Sequence, residues 1–157
     1  PAQRTSNWGR NQRKLTMSGE AERLRPGDVA VGDGVSRLVI ENLTRRDIVK
    51  YAGASGDFNP IHFDEPYARA SGNERVFAQG MLTMGVTSAA VTDWVGIGAV
   101  NTLEVRFESR VFPGDSVTLE ITVANVSDNQ ELVKLDITAK TGSGRIVLSG
   151  LCTADLS

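Results

Sequence analysis

The residues best suited to acid–base chemistry lie close together in one short stretch of the chain. The segment YAGASGDFNPIHFDEP, residues 51–66, contains His62, which is the only histidine present, and Asp57 precedes it by five positions. An imidazole changes its charge near neutral pH, and a carboxylate in the same loop accepts protons. Two such groups suit a reaction that activates a water molecule. Asp57 and His62 are therefore candidates for an acid–base pair.

Asp57 and His62 could instead have purely structural roles. A single histidine is often a satisfied structural residue, and an aspartate in a loop can accept backbone N–H groups instead of acting on a substrate. Asp64 is better interpreted as a helix cap, with Pro66 in the first turn of the helix that follows. Cys152, in an alternating apolar segment, is predicted to be a core residue. Because the chain has no second histidine, cysteine cluster or HExxH motif, it predicts no metal site.

A short helix is predicted directly before the candidate pair. Thr44 is followed three residues later by Asp47. This spacing is typical of a helix N-terminus, where the hydroxyl caps a free N–H and the acid favours the positive end of the helix. The helix is predicted to continue to about Ala52 and to stop at Gly53 and Gly56. The candidate catalytic residues therefore lie in a loop that follows a helix.

A longer helix is predicted over residues 80–95, GMLTMGVTSAAVTDWV, where few polar side chains interrupt the apolar ones. Gly80 opens this helix, so its N–H has no acceptor within the helix and lies at the positive end of the helix dipole. Glycine also lets a carbonyl group approach the backbone closely. These properties make Gly80 a candidate for stabilising negative charge that develops on an oxygen atom.

Beyond residue 98 the apolar period changes to two, which is typical of strands with one buried face. Short turn sequences separate the alternating segments, so we predict an antiparallel meander. The predicted strands cover residues 103–107, 117–123, 132–139 and 146–154, after an earlier run at 29–31 and 35–40 that Gly32 to Gly34 interrupt. A sheet that covers the apolar helix predicts a single α+β domain.

Composition narrows the class of protein. The chain has 157 residues and a formal net charge of −2, which fits one compact domain and does not favour nucleic-acid binding. No apolar run reaches about 18 residues, so no membrane span is predicted. A single cysteine fits a reducing compartment, and we predict a cytoplasmic location.

The beginning of the chain differs from the rest. Residues 1–19 carry four basic residues and no acidic ones. We predict a basic N-terminal arm there, which is flexible, an artificial extension, a transit peptide, or sequence before a later start at Met17. Residues 20–157 are predicted to form the folded domain.

The motifs resemble those of the MaoC-like proteins, a family of (R)-specific enoyl-CoA hydratases and 3-hydroxyacyl dehydratases. The resemblance extends over residues 24–155 and rests on Tyr51, Ser55 to Asp57, Asn59 to His62, Ala68, and Gln79 to Leu82. The chain is also similar to the dehydratase subunits of actinobacterial type II fatty-acid synthesis, through GMLTMG and Trp94-Val-Gly. The resemblance implies a hot-dog fold, in which an antiparallel curved sheet wraps around a long central helix.

The resemblance also implies roles for individual residues. The matching aspartate and histidine form the acid–base pair of the family, which implies this role for Asp57 and His62. In the family, the backbone N–H at the position of Gly80 contacts the carbonyl oxygen of the substrate, which implies the same role for Gly80. Asn59 is expected to shape the loop or orient its partner. Many relatives have histidine where this chain has Gln79, whose neutral amide is expected to hold the substrate or the loop.

The implied reaction is the reversible hydration of trans-2-enoyl thioesters to (3R)-3-hydroxyacyl thioesters. No cofactor is expected, because the thioester itself activates the acyl group. Tyr51 and Ser55 are predicted either to line the substrate pocket or to brace the loop. The expected partners are an acyl-CoA or acyl carrier protein thioester and a second copy of the chain, with a heterodimer with a related subunit as the alternative.

Three other functions compete with this one. The chain could be a hot-dog acyl-CoA thioesterase, an active or accessory subunit of a heteromeric 3-hydroxyacyl-ACP dehydratase, or a non-catalytic module that binds acyl thioesters. The spacing of Asp57 and His62 argues against the thioesterase. The presence of both residues argues against a non-catalytic chain, but not against an active subunit that needs a partner.

Overall fold

The structure is a computed structural model that describes residues 23–157. The predicted basic arm at residues 1–19 lies outside the described residues, as does the beginning of the predicted domain. In chain order the described elements are β1 (Gly34–Ile40), α1 (Arg45–Ser55), a 3-10 turn (Pro60–His62), α2 (Glu65–Ala70), α3 (Gly80–Val95), β2 (Val100–Phe107), β3 (Val117–Val126), β4 (Leu132–Thr141) and β5 (Ile146–Asp155).

The five strands form one antiparallel sheet in the order β1-β3-β4-β5-β2. The predicted meander is confirmed for β3, β4 and β5, which follow one another through short turns. It is wrong for β2, which pairs with β5 at the far edge of the sheet and not with β3. The connecting segment 108–116 is long enough to carry the chain from one edge of the sheet to the other side of β4.

The first predicted strand is shorter than expected. Residues 29–31 are not part of β1, which begins at Gly34. The N–H of Asp33 donates to the carbonyl of Ala30, and the Asp33 carboxylate accepts the N–H of Ala30 at 2.9 Å. These two bonds close a turn, which takes the backbone out of the extended conformation that a strand needs.

The sheet curves around α3. This helix contacts β1 and β2, which lie at opposite edges of the sheet. Five strands at about 4.8 Å spacing span roughly 19 Å, whereas a helix is only about 10 Å across, so a flat sheet could not touch the helix with both edges. Irregular registers occur in all four strand pairs, and bulges of this kind bend strands. The predicted α+β architecture is therefore confirmed.

Helix α1 begins at its predicted cap and ends later than predicted. The Thr44 hydroxyl accepts the N–H of Asp47, and the Asp47 carboxylate accepts the N–H of Thr44. The predicted stop at Gly53 is wrong, because Gly53 lies inside the helix, which continues to Ser55. Gly56 ends it with a φ of 74°, a left-handed conformation that glycine adopts readily. The loop with the candidate pair begins at this glycine.

Helix α2 begins at its predicted cap, and α3 has the predicted limits. Asp64 caps α2 by accepting the N–H of Tyr67 at 3.0 Å, as expected for a cap. Helix α3 covers Gly80–Val95, and its side chains Val91 and Trp94 are buried in the core with those of the sheet.

Candidate active site

A chain of local hydrogen bonds shapes the loop that follows α1. The Ser55 hydroxyl donates to the carbonyl of Tyr51 at 2.7 Å and accepts the N–H of Asp57 at 3.3 Å. The Asp57 carboxylate accepts the N–H of Asn59 at 3.3 Å through Oδ1. The Asn59 side chain in turn accepts the N–H of Ile61 at 3.2 Å and so caps the 3-10 turn. Ser55 and Asn59 therefore brace the loop, which was one of the predicted alternatives for Ser55.

His62 is buried, and Phe77 contacts its imidazole ring in two ways. Its Nδ1 lies 2.8 Å from the carbonyl oxygen of Phe77, and its ring meets the Phe77 ring edge to face at 5.1 Å. A carbonyl oxygen only accepts hydrogen bonds, so Nδ1 carries the hydrogen in this contact. In the neutral imidazole the other nitrogen, Nε2, is then an acceptor with a free lone pair.

Asp57 and His62 face each other through the remaining atoms. Nε2 of His62 lies 3.6 Å from Oδ2 of Asp57. The imidazole side chain is only 8% exposed, whereas the carboxylate is 44% exposed. The separation is longer than a direct hydrogen bond, and it lets both acceptors reach one water molecule. The structure thus brings together the two residues that the sequence predicted as a pair.

Gly80 is the first residue of α3, a helix of 16 residues, and it is exposed. No side chain caps this end of the helix, since the residue at the cap position, Gln79, makes no cap hydrogen bond. A side chain at Gly80 would press on the Phe107 ring, because a Cβ there would lie 3.3 Å from the ring. A glycine is therefore favoured at this position. Within residues 23–157 no hydrogen-bond acceptor occupies the Gly80 N–H, which is available to a ligand.

The Gln79 side chain points away from the helix N-terminus. It is 1% exposed, and its Nε2 donates to the carbonyl oxygen of Ile48 in α1 at 3.3 Å. Its Oε1 is buried and has no hydrogen-bond partner among the described residues. The amide therefore connects α1, which leads into the loop of Asp57, with the start of α3.

Tyr51 lines a groove between α1, α3 and residues 39–43 at the end of β1, and neither Asp57 nor His62 lines this groove. Three contacts of the site have no signal in the sequence. They are the carbonyls of Phe77 and Ile48 and the ring of Phe107. Two of them are backbone atoms, and all three come from distant parts of the chain. Cys152 is buried in β5, as predicted for a core residue.

Two further findings concern the described residues alone. Within residues 23–157 there is no cluster of three or more histidine, cysteine, aspartate or glutamate side chains that could hold a metal ion. In the same range, no helix is both long and apolar enough to cross a membrane.

Comparisons with known proteins agree with this arrangement. The MaoC like domain family matches residues 29–143. The chain is 32% identical over 125 residues to an (R)-specific enoyl-CoA hydratase from Rhodospirillum rubrum, covering 78% of this chain and 86% of that protein. It is 31% identical over 121 residues to a 3-hydroxybutyryl-CoA dehydratase from Methylorubrum extorquens, covering 74% of this chain and 75% of that protein.

Solved structures share the fold. An (R)-hydratase from A. caviae involved in PHA biosynthesis matches with a TM-score of 0.74 at 25% identity, over 83% of this chain and 99% of that one. The chain therefore belongs to the MaoC-like domain family and has its hot-dog fold, and both predictions are confirmed. The named relatives are hydratases and dehydratases, which is the enzyme class that the motif predicted.

Proposed function

We propose that this protein is an (R)-specific enoyl-CoA hydratase, which adds water reversibly to trans-2-enoyl thioesters. The observation that carries the proposal is the approach of His62 Nε2 to Asp57 Oδ2 at 3.6 Å in a chain of this family. In the forward reaction a hydroxyl group bonds to C3 and a proton to C2. One O–H bond of water and the π bond between C2 and C3 are broken.

The pair is suited to hold the reacting water by both of its hydrogens. The contact of Nδ1 with Phe77 leaves Nε2 as an acceptor, and the Asp57 carboxylate is the second acceptor. A water that donates to both directs its oxygen lone pair away from them and toward C3. One of the two groups takes a proton as the C3–O bond forms, and a proton returns to C2 from the same side.

The carbonyl oxygen needs stabilisation at the same moment, because negative charge moves onto it as water attacks C3. In the proposal this oxygen lies against the N–H of Gly80, at the positive end of α3. The Gln79 side chain bonds to Ile48 and does not occupy this end of the helix. Its proposed role is therefore to hold α1 and α3 together, and it is not a direct substrate contact.

The thioester carrier is proposed to be coenzyme A, because the names of the relatives specify CoA substrates. An acyl carrier protein thioester remains the alternative carrier. The mechanism uses only side chains, a backbone N–H and water, so the proposal includes no cofactor. A cytoplasmic location is also part of it, supported by the single cysteine, Cys152, which is buried as a free thiol.

A homodimer is the proposed assembly. Two features of the described residues support it, and the first is that β2 forms an edge of the sheet. The second is a face of α3 that is exposed although it is apolar and carries small residues, with Met81 at 55% exposure followed by Gly85 and Ala89. A related subunit could take the place of the second copy.

The test is hydration of crotonyl-CoA, followed as loss of the conjugated enoyl absorbance. Asp57→Asn and His62→Gln are each expected to lower kcat/KM by on the order of 10² or more, because each removes one proton-transfer group. Asp64→Asn is the matched control, since this aspartate lies in the same region and its proposed task is only to cap α2. Asparagine is an equally good cap, so this variant should keep its activity.

Other outcomes would point to the competing functions. Release of free thiol from the thioester, without a hydrated product, would identify a thioesterase. A folded wild type that is as inert as both variants with short and long acyl chains would contradict an independent hydratase. Recovery of activity when a related subunit is added would then identify a heteromeric enzyme.

A further inference from the structure

The segment that connects β2 to β3 places one arginine next to a residue of the candidate active site. The guanidinium carbon of Arg110 lies 5.0 Å from the centroid of the Phe77 ring. The centroid of the same ring lies 5.1 Å from that of the His62 imidazole. The Phe77 ring therefore contacts both a permanent cation and the candidate catalytic imidazole.

Hydrogen bonds hold the backbone next to this contact. The N–H of Ala78 donates to the carbonyl of Val111 at 2.8 Å, which ties the residue after Phe77 to the residue after Arg110. The carbonyl of Arg110 itself accepts a hydrogen bond from the guanidinium of Arg145. The fold thus sets where the Arg110 side chain begins, and only its rotamer is left to bring the guanidinium over the ring.

Arg110 has no competing ionic partner among the described residues. It is exposed, and within residues 23–157 no carboxylate forms an ion pair with it. By contrast, Arg75 and Arg145 of the same region each pair with a carboxylate. The contact with the Phe77 ring is therefore the interaction that orients the Arg110 guanidinium.

We propose that Arg110 is a positioning residue for His62 and acts through the ring of Phe77. The inference rests on the proposed hydratase function for its effect on rate. The hydrogen bond from Nδ1 to the Phe77 carbonyl is kept only while the imidazole stays in one orientation. The Phe77 ring limits that orientation, and the Arg110 guanidinium limits the ring. Nε2 is thereby kept toward Asp57.

Arg110→Met tests the proposal with a long side chain that carries no charge. A cation–π contact at an exposed position changes a population by roughly two- to fivefold, so kcat for hydration of crotonyl-CoA should fall by about that factor with little change in KM. Arg110→Lys keeps a cation and should recover part of the loss. Arg75→Met is the matched control, because the Arg75 guanidinium lies 4.7 Å from the ring of Phe112, and no described contact joins that ring to His62. It should keep the wild-type kcat.

A double variant shows whether the effect passes through the Phe77 ring. Phe77→Leu removes the ring and leaves the backbone carbonyl that accepts from Nδ1. If Arg110 acts through the ring, Arg110→Met should lower kcat in the wild type and have no further effect in Phe77→Leu. The same fold-loss in both backgrounds would overturn the proposal. An increase in KM at unchanged kcat would also overturn it and would assign Arg110 to binding the phosphates of the carrier.

Nuclear magnetic resonance of the imidazole tests the positioning without catalysis. Because His62 is the only histidine, ¹⁵N-labelled histidine in the untagged chain gives a single pair of ring nitrogens. Above about pH 8 an ordinary imidazole is neutral, and the two nitrogen shifts of the wild type should be far apart, as in a fixed Nδ1–H tautomer. They should approach each other in Arg110→Met and keep the wild-type separation in Arg75→Met. Equal shifts in all three proteins would overturn the proposal.

The two measurements also separate this inference from the proposed function. Shifts that respond to Arg110→Met in a protein that hydrates no enoyl thioester would support the positioning of His62 and contradict the hydratase. Hydration of crotonyl-CoA by Arg110→Met at the wild-type rate, with unchanged shifts, would support the hydratase and overturn the role of Arg110.

Discussion

At the scale of single residues, the two nitrogens of the His62 imidazole have different tasks. The Phe77 carbonyl occupies Nδ1 of His62, and this leaves Nε2 for the space that it shares with Asp57. The Phe77 ring also limits the orientation of the imidazole, with an interplanar angle of 75°. A histidine that is fixed in this way loses little freedom when a substrate binds, which favours a well-defined proton transfer.

Burial also determines the reactivity of a single residue, Cys152. It is 1% exposed, and burial raises the pKa of its thiol from 9.0 to about 11. The thiolate is the reactive form, so the native protein should not react with a thiol reagent at pH 8 over minutes, whereas the unfolded chain should. Rapid modification of the native protein would contradict this expectation.

The same burial predicts how stability depends on pH. The folded protein keeps the proton of Cys152 over a range in which the unfolded chain loses it, so the free energy of unfolding should fall as pH rises from about 9 to about 11. Cys152→Ala should remove this part of the slope. Denaturant titrations at both ends of the range measure it, and equal slopes for the two proteins would show that the thiol does not contribute.

At the scale of elements, Gln79 is the link between the two helices that form the site. Within the described residues its side chain makes one hydrogen bond, which joins the start of α3 to the Ile48 carbonyl in α1. Gln79→Met, which keeps the size and removes the donor, should lower kcat by on the order of 10-fold with little change in KM, because the pair and the Gly80 N–H lose alignment. Gln79→His keeps a donor and should retain most of the activity.

A double variant distinguishes alignment from simple loss of stability. If Gln79 acts by positioning Asp57, the effect of Gln79→Met on kcat should largely disappear in an Asp57→Asn background. Equal losses in both backgrounds, together with a lowered melting temperature, would instead assign Gln79 a purely structural role.

The elements also show which parts of the site could be predicted from the sequence. Asp57, His62 and Gly80 were identified because motif spacing and helix limits are local properties of the chain. The contacts from Phe77, Phe107 and the Ile48 carbonyl were not, since they depend on tertiary packing. Strand pairing also depends on tertiary packing. The alternating pattern therefore predicts β2 beside β3, whereas in the structure β2 lies beside β5.

At the scale of the whole molecule, the exposed apolar face of α3 is the surface that a second copy of the chain is proposed to cover. Gly85 lies on this face, and a Cβ added there would meet no other atom within 4 Å. Glycine inside a helix costs about 1 kcal/mol relative to alanine, so an isolated monomer would be more stable with another residue at this position. The presence of glycine is explained if a second copy of the chain packs closely against α3.

Gly85→Arg therefore separates a dimer from a monomer. If the α3 face is the dimer interface, the wild type should sediment as two copies, and the arginine variant should sediment as one while it keeps a folded far-UV spectrum. Gly85→Ala is the control, because it restores helix propensity with a much smaller side chain and should reduce dimerisation less. An arginine variant that remains dimeric and gains stability would show that this face is open to solvent, and the interface would then have to lie elsewhere, with the free edge of β2 as the next surface to test.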